Sequence, residues 1–113
     1  MSRIVFALSV VLWATPAFAH SKLTRSVPAD KAEVAAAPPE LVLTFAEAVT
    51  LTSVKLQPSA GTKIVLSRLP EKPIKEAHVS LPALAAARYT VQWRATSEDG
   101  HVINGEFSFV VSK

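Results

Sequence analysis

The chain has 113 residues, half of them apolar, and no cysteine. That suffices for one small domain with a single core, and it excludes disulfide stapling and thiolate metal ligands. The formal net charge is +3, from 12 Lys and Arg against 9 Asp and Glu. The basic residues are scattered rather than clustered, which argues against a nucleic-acid partner.

Met1-Ser2-Arg3 gives a basic start, Ile4 to Ala14 is almost unbroken apolar sequence, and Ala17-Phe18-Ala19 has the small-x-small form of a signal-peptidase site. These three features together read as a secretory signal peptide over residues 1–19. The apolar run is shorter than the roughly 20 residues that a membrane-spanning helix needs. Cleavage after Ala19 would leave a domain of 94 residues, 20–113, beginning with His20. Loss of Arg3 leaves 11 basic residues against 9 acidic ones.

The domain reads as short strands. A first strand is expected near Lys22 to Val27. The only helical candidate follows, Asp30 to Ala37, and it runs into Pro38-Pro39. Leu41, Leu43 and Phe45 share one face of the next strand, and Val54 with Leu56, Ile64 with Leu66, and Ala77 with Val79 and Leu81 mark shorter ones. Ala83 to Ala87 is expected to form at most a single helical turn. From Arg88 to Thr96 the alternation is clearest, with Tyr89, Val91, Trp93 and Ala95 on one side. Phe107, Phe109 and Val111 close the pattern. Turn signals separate the segments at Pro28-Ala29-Asp30, Pro58 to Gly61, Pro70 to Pro73 and Asp99-Gly100. About seven short strands at this spacing predict an all-β domain, an immunoglobulin-like Greek-key β-sandwich, with a small barrel sharing the same pattern.

Three histidines could do chemistry: His20, His78 and His101. Alternation turns His78, between Ala77 and Val79, toward solvent as a plain surface residue. His20 gains a free α-amine if the leader is removed. An α-amine with a pKa near ~8 can lose its proton and bind a metal around neutral pH. Amine and imidazole Nδ1 of one residue then close a chelate ring, and a second imidazole would complete three nitrogens, a histidine brace. The loop Ser97-Glu98-Asp99-Gly100-His101 supplies that imidazole and a carboxylate, with Gly100 permitting a tight turn. Taken singly, each half is unremarkable: a residue after a cleavage site, and an Asp-Gly turn beside an exposed histidine. Together they form an N3O donor set, which favours Cu(II) in tetragonal geometry over nickel or zinc.

The chain resembles the CopC-type periplasmic copper-resistance proteins. The resemblance runs through Ala19-His20, Leu23, Ser26 to Asp30, Pro38-Pro39, Leu41 to Phe45 with Glu47, Tyr89 to Arg94, Ser97 to His101, Gly105 and Phe107 to Val111. It implies a Greek-key β-sandwich over residues 20–113, a periplasmic location, and copper homeostasis or resistance as the role. It implies His20, Asp99 and His101 as the metal-binding residues. Glu47 matches an acidic position near that site, at the rim of the inward face. The expected partners are a copper ion and a CopD-type inner-membrane transporter, with no nucleic acid, and the chain is expected to be a monomer. Some relatives carry a methionine-rich stretch for Cu(I). Here Pro58 to Pro73 holds no methionine, and Met1 belongs to the leader, so the resemblance is to the Cu(II)-only branch.

The favoured reading is therefore a Cu(II) carrier or buffer and not an enzyme. A histidine-brace copper oxygenase acting on polysaccharides is the alternative, but it needs an open coordination position and an exposed surface that grips a polymer. A metal-free sandwich used in adhesion or assembly is the third reading, since fold alone does not fix function.

Overall fold

Alternation governs the fold from its longest hairpin outward. Tyr89, Val91, Trp93 and Ala95 are all buried, whereas Arg88, Gln92 and Arg94 between them are exposed. The computed structural model describes residues 23–112. It contains seven strands: β1 (Leu23–Val27), β2 (Ala32–Val34), β3 (Glu40–Pro58), β4 (Ile64–Leu66), β5 (Ile74–Ser80), β6 (Ala87–Ser97) and β7 (Val102–Val111). No helix occurs among the described residues.

The hydrogen-bonded path runs β1-β3-β6-β7-β2, with β4 and β5 also on β3. The segments expected separately around Leu43 and Leu56 are one strand of 19 residues. Its first part, Glu40 to Thr44, pairs with β5, and the stretch Val42 to Phe45 pairs with β1. Its second part, Val49 to Pro58, pairs with β6. One strand thus serves both layers of the sandwich, and the register is irregular between Thr44 and Val49, where it changes partners. A second shift, between Leu51 and Ser53, leaves Thr52 as an extra residue. That bulge moves the inward face from Leu41, Leu43, Phe45, Val49 and Leu51 to Val54 and Leu56.

Among the described residues, no polar or charged side chain other than those of Tyr89 and Trp93 lies in the buried core, so apolar burial carries the stability, at roughly 1.5–3 kcal/mol per fully buried large side chain. Phe45 meets Trp93 edge to face, with ring centroids 5.3 Å apart, joining the first part of β3 to β6. Gly105 sits opposite Trp93, and a Cβ there would lie 2.9 Å from indole Cζ2. The indole therefore occupies the space that a side chain at 105 would need. The Tyr89 hydroxyl donates to the Ala85 carbonyl at 2.6 Å, a tyrosine corner of the kind found in Greek-key sandwiches.

Two helical expectations are corrected. Within Asp30 to Ala37 the chain forms β2, which runs parallel to β7 from Ala32↔Phe109 to Val34↔Val111. A segment this short before two prolines cannot repay helix nucleation. Its backbone groups pair with β7 instead: Lys31 N–H donates to the Ser108 carbonyl at 2.6 Å, and Ser108 N–H donates to the Asp30 carboxylate at 3.0 Å. At Ala83 to Ala87 there is no helical turn; β6 already begins at Ala87.

Candidate metal centre

The β6–β7 pairing ends at Thr96↔Val102, and the chain must reverse within the residues between. Gly100 N–H donates to the Ser97 carbonyl at 2.9 Å, and Ser97 N–H donates to the His101 carbonyl at 2.8 Å. Gly100 has φ +89° with open space around its missing Cβ, so conformation and not crowding calls for glycine.

This turn brings Asp99 and His101 together. Asp99 Oδ2 lies 3.1 Å from His101 Nδ1, with both side chains mostly exposed, at 68% and 79%. A carboxylate only accepts, so Nδ1 is the donor in this contact, and Nε2 has no hydrogen-bond partner among the described residues. The Ser97 hydroxyl donates to Asp99 Oδ1, and the His101 amide donates to Ser97 Oγ at 3.3 Å. The Ser97 hydroxyl first, then the His101 amide and ring, hold the Asp99 carboxyl below its ordinary pKa. The loop thus presents an ionised carboxylate and an oriented imidazole with one free nitrogen.

The other expected site residues stand differently. His20 lies outside the described residues, as do residues 1–19 with the expected cleavage site. Glu47 is exposed, in the stretch where β3 changes partners, and falls between the buried Phe45 and Val49. It is two residues from Val49, which pairs with Ser97, so it stands at the same end of the sandwich as the loop. Among the described residues, no three His, Cys, Asp or Glu side chains are grouped to hold a metal ion. Asp99 and His101 are two donors held side by side, and a metal ion at them would need further ligands.

His78 is exposed, as alternation requires, but it is not a plain surface residue. Its Nδ1 lies 3.0 Å from Glu40 Oε2, and its Nε2 lies 2.8 Å from Glu76 Oε2. Hydrogen bonds from Glu40 and then Glu76 raise its pKa above the ordinary imidazole value. Sequence reading missed Glu40 because only the β3–β5 register sets it diagonally across from His78. It also treated Ser97 only as part of the loop. A hydroxyl two residues before an aspartate is a local signal that could have marked it.

The geometry can be set beside known proteins. The family model described as CopC domain matches residues 23–112. The chain belongs to the CopC family. "Copper resistance protein C" of Xanthomonas campestris pv. juglandis is 32% identical over 95% of this chain and 91% of its own length. "Protein YobA" of Escherichia coli K12 is also 32% identical, over 96% of this chain and 93% of its own length. Among solved structures, CopC from Methylosinus trichosporium OB3b superposes with a TM-score of 0.71 at 29% identity, covering 82% of this chain and 94% of that one. These matches make the chain a CopC-type copper-resistance protein with the fold of that family.

Proposed function

We propose that the chain is a periplasmic carrier that binds one Cu(II) ion per monomer through His20, His101 and Asp99. Removal of residues 1–19 by signal peptidase gives His20 its free amine. That amine, the His20 imidazole, the His101 imidazole and the Asp99 carboxylate make an N3O set, which suits Cu(II). Without methionine or cysteine in residues 20–113 there is no soft ligand for Cu(I), so Cu(II) is the cargo.

The observation that carries the reading is the Asp99–His101 contact at the end of β6. The β-register supports His20 as its complement. Ser97 pairs with Val49, and four residues back along β3 Phe45 pairs with Leu23. His20 precedes Leu23 by three residues, a tether that spans at most about 10 Å. Family membership supports the carrier role, and a CopD-type inner-membrane transporter is the partner that the resemblance implies.

The test is a Cu(II) titration of the secreted protein followed by EPR. One tightly bound ion with a nitrogen-dominated type-2 spectrum is expected. Substituting His20→Ala, or adding one residue before His20, should change that spectrum and weaken binding. An identical spectrum in both variants sinks the brace.

A further inference from the structure

We infer that Trp93 is a positioning residue for the N-terminus left by cleavage: its indole N–H donates to a backbone carbonyl within residues 20–22 and so steers His20 toward the Asp99-Gly100-His101 loop. The inference rests on the reading above, of cleavage after Ala19 and a Cu(II) site, and adds a residue to it. Trp93 is 3% exposed, and its Nε1 is a buried nitrogen with no hydrogen-bond partner among the described residues. Buried N–H groups are nearly always paired, because a donor shut away from water loses its hydration and gains nothing in return. The described core offers this one no acceptor. Its other polar side chain is Tyr89, a full turn of the pattern away along β6, and that hydroxyl is engaged with the Ala85 carbonyl.

The place of the indole says where its partner comes from. Nε1 lies 3.1 Å from where a Cβ of Gly105 would stand, so the N–H sits beside β7 at that residue. A groove between β1 and β7 is lined by Leu23 on one side and by Glu106 and Phe107, the residues after Gly105, on the other. Leu23 also pairs with Phe45, whose ring meets the indole edge to face at 5.3 Å. The first residue of β1 is thus a neighbour of the orphaned N–H. The three residues before Leu23 span at most about 10 Å, enough to cross the indole on the way to the loop. The C-terminus is no competitor, because Val111 lies six residues beyond Gly105, about 20 Å along β7.

The experiment uses the secreted protein without metal, in which Trp93 is the sole tryptophan because Trp13 leaves with the leader. Its indole N–H therefore gives one isolated NMR signal. A through-hydrogen-bond coupling is expected from the Trp93 indole nitrogen to the carbonyl carbon of residue 20, 21 or 22. The Trp93→Phe variant keeps an aromatic ring and removes the donor. In it the Ser21 and Lys22 amides should become mobile by 15N relaxation while the β6 and β7 amides stay rigid. A tryptophan that served only to fill the core would loosen β6 and β7 instead. Competition against a colorimetric Cu(II) chelator should show about 3–10-fold weaker binding for Trp93→Phe, the value of one ordinary hydrogen bond. Absence of the coupling, with a bound water at the indole in its place, overturns the inference. So do Ser21 and Lys22 amides as ordered in Trp93→Phe as in wild type. If Trp93→Phe does not fold, the coupling decides alone. If wild type retains no Cu(II), the copper reading fails instead, and the coupling still decides whether Trp93 holds the N-terminus.

Discussion

The domain builds the same pair of groups twice, a carboxylate and a histidine two residues apart, and makes opposite use of them. At Asp99-Gly100-His101 the pair sits on a turn, where one ring nitrogen meets a carboxylate and the other has no partner among the described residues. At Glu76-Ala77-His78 it sits within β5, and Glu40 from β3 reaches the second nitrogen. Two acceptors on one ring favour the imidazolium, which has no lone pair to give a metal. The residue types are nearly identical, so the neighbouring strand decides which histidine can serve as a ligand.

Copper binding should separate the two most sharply. Substituting His101→Ala should weaken Cu(II) binding by more than the roughly 100-fold upper range for losing an outer partner, whereas His78→Ala should leave it within about twofold, both read by chelator competition. Equal losses in the two variants would break the contrast. Next in size, Asp99→Asn should cost about 10–100-fold, because an amide replaces the charged acceptor beside His101. Affinity equal to wild type would remove the carboxylate from the site.

The next prediction concerns titration. The double variant Glu40→Gln with Glu76→Gln should lower the His78 pKa toward its ordinary value of 6.5, followed by NMR. An unmoved His78 would show that these contacts do not persist in solution. The smallest effect is on stability. His78 holds its proton more tightly when folded than when unfolded, so its contribution is complete below the ordinary imidazole pKa. It is lost as pH rises through the raised folded value. The Tm difference between wild type and His78→Gln should therefore shrink with rising pH across that window. For Asp99 the sign is opposite: its contribution is present above the ordinary carboxylate value of 3.8 and is lost as pH falls through the lowered one. Both groups are exposed, so each change should be small, and the direction of the trend is what discriminates.

Much of the fold was legible because a half-buried strand repeats every two residues. Tyr89, Val91, Trp93 and Ala95, and then Phe107, Phe109 and Val111, announced their inward faces, and all seven are buried. Asp30 to Ala37 was misread because alanine carries the strongest helical preference, whereas the parallel pairing of β2 on β7 depends on residues 77 positions away (109 − 32). The continuity of β3 was hidden for a related reason. The extra residue Thr52 changes the parity of the pattern, and a change of parity in sequence looks like the end of one strand and the start of another.

At the candidate metal centre, the sequence by itself determined the ingredients: a leader expected to end at Ala19, His20 behind it, a D-G-H turn, and no sulfur ligand from residue 20 onward. It also marked the turn as a turn, since Asp-Gly between two alternating runs constrains the backbone locally. Only the tertiary structure decided which histidine keeps a free nitrogen. That depends on which carboxylates lie within about 3 Å of each ring, and the partners are chosen by strand register: Glu40 comes to His78 from 38 residues away, whereas the turn brings Asp99 to His101.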